Sequence, residues 1–302
     1  MNKIQKQLLE EVSALHSIPQ GAISLRVNGE SEILNSTAEI ILTKKENKSG
    51  LDILIKKNTN NKSLHIPVLL DKNLNEEVFN DFVIEDNASV LIVAGCGVHV
   101  GSGEGKHCGV HSFKIGKNCK VKYIERHLGL GESTNKTINT KTIVALGENS
   151  SFEMETTQIK GVDFSDRITN AVLEKNSVFI VREKILTELN QTAKTDFKVT
   201  LKGENSSCEI ISRAVGKHNS FQDFGSELIG QNKCFGRVEC DAIIFDNAKI
   251  YSSPAVKAET SLAELSHEAQ IGKIAGEQLV KLMTLGLSEE NAKNKIIEGY
   301  LR

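Results

Sequence analysis

The residue types best able to do chemistry in this chain fall in two groups. The first is a duplicated tetrapeptide, Cys96-Gly-Val-His99 and Cys108-Gly-Val-His111, with His107 directly before the second copy. Thiolate and imidazole hold zinc or iron tightly, and the glycine in each copy permits a turn that brings residues three apart onto one ion. On a straight strand those residues face opposite sides, so chelation requires Cys96 and Cys108 to sit at corners or bulges. The competing reading is a mobile loop built on Gly97, Gly101, Gly103, Gly105 and Gly109, whose thiols and imidazoles are merely exposed. A zinc or iron enzyme with water at an open coordination position would use the same group, but the sequence identifies neither its general base nor its substrate cleft.

The second group is Val238-Glu-Cys-Asp-Ala242 followed by Leu265-Ser-His-Glu-Ala-Gln-Ile-Gly-Lys-Ile274. Cys240 falls within a β phrase, and His267 with Glu268 falls where strands are expected to give way to helices. A thiolate, an imidazole and a carboxylate can together bind iron or relay protons. Taken alone, Cys240 reads more simply as a small buried hydrophobe, and the His-Glu pair as a hydrogen-bonded junction.

What must position these residues is a repeat. One phrase recurs as Ile84-Glu-Asp-Asn-Ala-Ser-Val90, Ile115-Gly-Lys-Asn-Cys-Lys-Val121, Leu146-Gly-Glu-Asn-Ser-Ser-Phe152 and Leu173-Glu-Lys-Asn-Ser-Val-Phe179, with looser copies around Asn205, Asn232 and Asn247. The asparagines at 87, 118, 149, 176, 205, 232 and 247 are separated by 31, 31, 27, 29, 27 and 15 residues. Asparagine tolerates the left-handed conformation of a sharp corner, so each copy predicts a turn between two strands. Between corners, segments such as Val121-Lys-Tyr-Ile124, Val178-Phe-Ile-Val181 and Phe197-Lys-Val-Thr-Leu201 carry strand chemistry. The pattern predicts an all-β solenoid of stacked parallel rungs; a sandwich has no reason to repeat one corner phrase.

The ends read as helical. Ile4, Leu8, Leu9, Val12 and Leu15 make one amphipathic face over residues 2–16, and a β-rich lead-in follows from Ala22. A second stripe, Ile271, Ile274, Leu279, Leu282, Met283 and Leu285, stops at Gly286. Ser288 then caps a last helix with Ile296, Ile297 and Tyr300 on its apolar side.

Composition sets the bounds. A net charge of -2, from 37 basic and 39 acidic residues, gives no general attraction to nucleic acid or anionic membranes. The longest apolar run is too short to cross a bilayer and the N-terminus is polar, so a cytoplasmic protein is expected. Six cysteines without a secretory signal read as thiols or metal ligands and not as a disulfide framework.

Several phrases together resemble the SufB/SufD family of SUF-system iron-sulfur cluster assembly proteins. Glu239-Cys240-Asp241 is similar to its QCD or ECD strand, and His267-Glu268-Ala269 to its HEA junction. Ile271-Gly-Lys-Ile274 with Gln278-Leu279 resembles its IGKI-x3-QL phrase, and Gly286-Leu-Ser-Glu-Glu-x-Ala292 and Ile296-Ile-x-Gly-Tyr300 its C-terminal phrases. The resemblance runs from about residue 80 to the C-terminus and is most specific from Arg237 onward.

That resemblance implies a right-handed parallel β-helix with helical N- and C-terminal segments. Residues 1–80 would form the lead-in, 81–265 the β-helix core, and 266–302 a helical segment that docks a SufC-like ABC ATPase. Nothing in the chain resembles a P-loop, so ATP hydrolysis is expected in that partner and the chain itself reads as a scaffold, not an enzyme. The family implies that Cys240, Glu268 and His267 help build a transient iron-sulfur cluster at a subunit interface. The SufB branch carries Glu at the position of Glu268, and SufD-like members His at that of His267. This chain has both, which implies a homodimer able to supply every ligand; a heterodimer with a paralogous subunit is the other arrangement.

Gly95-Cys96 is similar to an upstream family position that takes sulfur from a donor and passes it inward. The duplicated CGVH departs from the common bacterial pattern, so Cys96 is either that acceptor or part of a second site for iron or zinc with His99, His107, Cys108 and His111. The chain resembles a short or stand-alone member. The rival within the family is a SufD-like interaction platform that binds no cluster.

Overall fold

In the computed structural model, which describes residues 1–274 and 276–301, consecutive strands step between two sheets and stack rung upon rung. The strands begin with β1 (Ala22–Val27), β2 (Glu30–Asn35), β3 (Ile40–Lys44), β4 (Gly50–Ile55), β5 (Lys62–Leu70) and β6 (Leu74–Ile84). They continue with β7 (Ser89–His99), β8 (Gly105–Ile115), β9 (Lys120–Leu130), β10 (Lys136–Leu146), β11 (Ser151–Gln158) and β12 (Phe164–Leu173). The last are β13 (Val178–Thr187), β14 (Thr192–Leu201), β15 (Ser206–Gly216), β16 (Phe221–Gly230), β17 (Cys234–Ile244), β18 (Lys249–Ala258) and β19 (Ala263–Gly272). From β4 on, even strands pair in parallel in one sheet and odd strands in the other, giving a β-solenoid of about 8 turns. Antiparallel pairs, β1 with β2 and β3 with β4, close the N-terminal end. The stacked strands thus run from Ala22 to Gly272, beyond residues 81–265 on both sides.

Strict alternation drives the stack. Every second side chain points between the sheets, where Phe82 stacks on Phe113 at 4.2 Å and Phe113 meets Phe152 edge-on at 5.1 Å. Each rung alone would leave this face wet; the neighbouring rung covers it.

The corners follow the asparagine repeat. Asn87, Asn118, Asn149, Asn176 and Asn205 all have positive φ between 55° and 60°. Their side chains also bond along the stack, Asn118 to Asn87 at 3.2 Å, Asn176 to Asn149 at 2.9 Å and Asn205 to Asn176 at 3.3 Å. Asn232 and Asn247 depart from the expectation. Asn232 lies in a shorter turn between β16 and β17, and Asn247 belongs to the opposite corner, between β17 and β18, where Leu189, His218 and Asp246 take the left-handed conformation. The odd spacing of 15 is the distance between the two corners, not a shortened rung.

Helices cover parts of the stack. Helix α1 (Lys3–Ser13) starts at a capping box of Asn2 and Gln5 and buries Leu8, Leu9 and Val12 against the odd-numbered sheet. It approaches so closely that a Cβ on Gly95 would stand 2.6 Å from the Val12 carbonyl oxygen. The C-terminal stripe begins later than its apolar spacing predicts. Ile271 is the penultimate residue of β19, and helix α2 runs Gly276–Thr284. Helix α3 (Glu289–Tyr300) is capped by Ser288 as expected. No helix among the described residues is long and apolar enough to cross a membrane.

Candidate functional site

Both copies of CGVH lie on straight strands, not at corners. Cys96 is in the middle of β7 with its side chain buried between the sheets, so His99 at the strand's end has the opposite parity. On β8, His107 and His111 point inward and Cys108, of opposite parity, points out. Neither tetrapeptide therefore closes on an ion, because each Cys and the His three residues on are held on opposite faces. The mobile-loop alternative fails too, since both strands are hydrogen-bonded on both sides. Among the described residues no group of three His, Cys, Asp or Glu side chains is arranged to hold a metal ion.

What gathers instead is an interior polar cluster. Cys96, His107, His111, Glu125, His127, Asn80 and Thr140 line a cavity of about 20 Å³. Glu76 accepts a hydrogen bond from His107 Nδ1 at 3.1 Å, and Arg26 reaches the same carboxylate at 3.3 Å. Asn80 Oδ1 accepts from the Leu51 N–H at 3.1 Å, which turns the amide nitrogen toward His111 Nδ1 at 3.4 Å. His111 is thereby an acceptor at Nδ1 and carries its proton on Nε2. Burial lowers its pKa to about 4, with Glu125 opposing, and keeps the ring neutral.

Glu125 is the charge at the centre. Burial alone would raise its pKa, but His127, Arg167 and His111 hold it well below the ordinary carboxylate value. Tyr123 donates to it at 2.9 Å, and the Arg167 guanidinium pairs with it directly. Arg167 also meets His127 Nδ1 at 3.2 Å and Glu183 at 3.6 Å. Glu183, raised by its burial, accepts from Thr195 at 3.0 Å and from Ser212 at 2.9 Å. The sequence reading missed Glu125, His127, Arg167 and Glu183. Their signal was parity: Val121 and Tyr123 face inward, so Glu125 and His127 must also.

The cluster leads toward the second group. One inward row of side chains passes through register partners Glu125, Thr156, Glu183, Ser212 and Cys240. The hydroxyls of Thr140, Thr142, Thr156 and Thr169 are buried beside it without protein partners. Cys240 is 1% exposed on β17, and burial pushes its thiol up to about 11, with Ser252 opposing and Glu183 and Asp241 adding. His267 and Glu268 lie inside β19 and not at a strand-to-helix junction. His267 shares the Cys240 side of the sheet, since Cys240 pairs in register with Ala269. Glu268 has the opposite parity and meets Arg237 at 3.3 Å. Within one chain, Cys240 and His267 are thus on one face and Glu268 on the other.

Behind Cys240, α3 returns to the sheet. Arg213, register partner of Asp241, lies 5.7 Å from the Tyr300 ring and donates to its carbonyl at 3.4 Å.

Comparison with known proteins gives one answer. The profile "SUF system FeS cluster assembly, SufBD core domain" matches residues 76–300. An iron-sulfur cluster assembly SufBD family protein of Archaeoglobus fulgidus is 28% identical over 227 residues, 75% of this chain and 60% of the relative. One from Methanocaldococcus jannaschii is 26% identical over 235 residues, 77% of this chain and 74% of the relative. One from Staphylococcus epidermidis is 25% identical over 257 residues, 80% of this chain and 53% of the relative. The chain spans well under two thirds of several relatives it matches. The β-solenoid and the profile over about three quarters of its length agree: the chain belongs to the SufBD family.

Proposed function

We propose that this chain is a scaffold subunit on which sulfur taken up near Cys96 is carried to a cluster built around Cys240. The observation supporting this most strongly is that the inward row ending at Cys240 starts at Glu125, two residues along β9 from His127, the register partner of Cys96. Because Cys96 is buried and its burial pushes the thiol well up, transfer requires the rung to open first. The Cys96 thiolate then attacks the outer sulfur of a donor persulfide, a new S–S bond forms on Cys96, the donor's S–S bond breaks, and the donor thiolate leaves. Conversion of that sulfane sulfur to sulfide consumes two electrons from a reductant outside the chain. Cys240 and His267, with Glu268 from the outer face, then supply ligands where the last rung meets a second subunit, either another copy or a paralogous chain. Strands β18 and β19 end the stack with exposed side chains, as such an interface requires. An ABC-type ATPase docks on α2 and α3, where Val280 and Met283 of α2 and Leu285 just beyond it are exposed to solvent. The chain itself catalyses no ATP hydrolysis.

The test is anaerobic loading with a persulfide donor, followed by mass analysis of each cysteine. Cys96→Ser should abolish sulfane sulfur on Cys240, whereas Cys240→Ser should leave Cys96 loaded. Loading of Cys240 that ignores Cys96 would refute the route, and absence of sulfur on both would favour a platform that handles no cluster.

A further inference from the structure

On its outer side the strand segment that carries Cys96 is covered by a helix and not by side chains of its own. Gly95 and Gly97 flank Cys96 on β7 with the opposite parity, so the outward positions on either side of it are bare backbone. Helix α1 fills the place. A Cβ on Gly95 would stand 2.8 Å from Val12 Cβ, and one on Gly97 2.9 Å from Leu8 Cδ2. The helix also spans the neighbouring strands: Leu69 of β5 and Leu128 of β9 are the register partners of Gly97, and both pack with Leu8, Leu9 and Val12 in one buried cluster. That clamped row lies one residue along from the row of Val68, Cys96 and His127. On β11 and β13 the same face of the sheet is covered by the strands' own side chains, such as Glu153 and Arg182, which pair with each other.

Few contacts hold α1 in its seat. Its 11 residues are fewer than the roughly 12–15 an isolated helix needs in water, so the seat itself keeps it helical. Two of its polar ties meet at one residue: Asp71, just past β5, accepts from the Asn2 amide at 2.6 Å and from the Gln5 amide at 3.2 Å. The pair of Glu11 with Lys160, at 3.9 Å and about half exposed, adds little. Residues 14–21, which join α1 to β1, form neither helix nor strand. Unseating α1 therefore costs an apolar contact and a polar anchor but no pairing between strands. It leaves a Gly-Cys-Gly segment uncovered, and glycine weakens a strand from within.

We propose that α1 is a lid on Cys96. Seated, it clamps β5, β7 and β9 together and keeps the thiol closed off; displaced, it lets the Gly95–Gly97 segment part from its neighbours and opens Cys96 to a small sulfur-bearing reactant. The use of the lid rests on the sulfur uptake proposed above, whereas the lid itself rests on the seat of α1.

Thiol labelling of the intact chain tests it, with methyl methanethiosulfonate as the probe and the modification of each cysteine followed over time by mass spectrometry. Leu8→Asp puts a carboxylate into the apolar seat, and Asn2→Ala removes the cap and one tie to Asp71. Labelling of Cys96 should quicken at least about tenfold in the first and roughly two- to tenfold in the second, while Cys208, 1% exposed on β15, keeps its wild-type rate. Leu8→Met, which keeps the seat apolar, should label like wild type. Asn2→Ala decides the matter if Leu8→Asp does not fold. A Cys96 rate indifferent to the variants overturns the lid, and so does quickening of Cys96 and Cys208 together, because that is loosening of the whole stack. Selective quickening of Cys96 in a chain that passes no sulfur from a persulfide donor to Cys240 would instead keep the lid and sink the proposed function.

Discussion

At the scale of single residues, the interior is unusual in carrying charge where a solenoid needs only apolar ladders. Arg167 compensates two buried carboxylates, so Arg167→Ala should cost on the order of 3–5 kcal/mol, read as a lowered urea midpoint. His111 gives a pH signature. Its folded pKa of about 4 lies below the ordinary 6.5, so the unfolded chain takes up the proton first. Stability is therefore full above pH 6.5 and falls as pH drops toward 4, by about 3 kcal/mol from this group alone. Denaturation at pH 7 and pH 5 should differ accordingly, and His111→Gln should flatten the difference. These residues were hard to read in the sequence because their partners are remote. Glu125 and Arg167 are 42 residues apart, and only the rung register brings them together. The parity of Glu125 and His127 was legible, whereas that of the CGVH pairs argued against chelation as soon as the strands proved straight.

At the scale of elements, the corner asparagines were the most legible feature, since few side chains accept positive φ. Asn149→Ala should cost about 1–2 kcal/mol, and Asn149→Gly less, because glycine keeps the conformation and loses only the side-chain ladder. Equal losses for the two variants would mean that the ladder, not the backbone, dominates. The repeat failed where one corner phrase was taken for another: Asn247 has the right neighbours but the wrong corner. The apolar spacing that starts at Ile271 predicts a helix where β19 still runs to Gly272, because pairing with β17 overrides local periodicity. Helix α1 was legible from its apolar face, but its seat on Gly95 and Gly97 depended on contacts some eighty residues away in sequence, which no local pattern carries.

At the scale of the molecule, the stack sets Cys96 in register with His127, and the inward row that starts two residues away at Glu125 runs to Cys240, with a terminal helix behind each cysteine. Helix α1 lies behind the Cys96 strand and α3 behind the Cys240 neighbourhood, through Arg213. The same stack leaves its last rung uncovered beside Cys240, which is where the proposed function requires a second subunit. The central claim is that Cys240 ligates the nascent cluster, and anaerobic reconstitution with iron and sulfide tests it most directly. Wild type should develop a visible iron-sulfur chromophore with bound iron, and Cys240→Ala should lose both; a chromophore indifferent to Cys240, or none in wild type, would contradict the account.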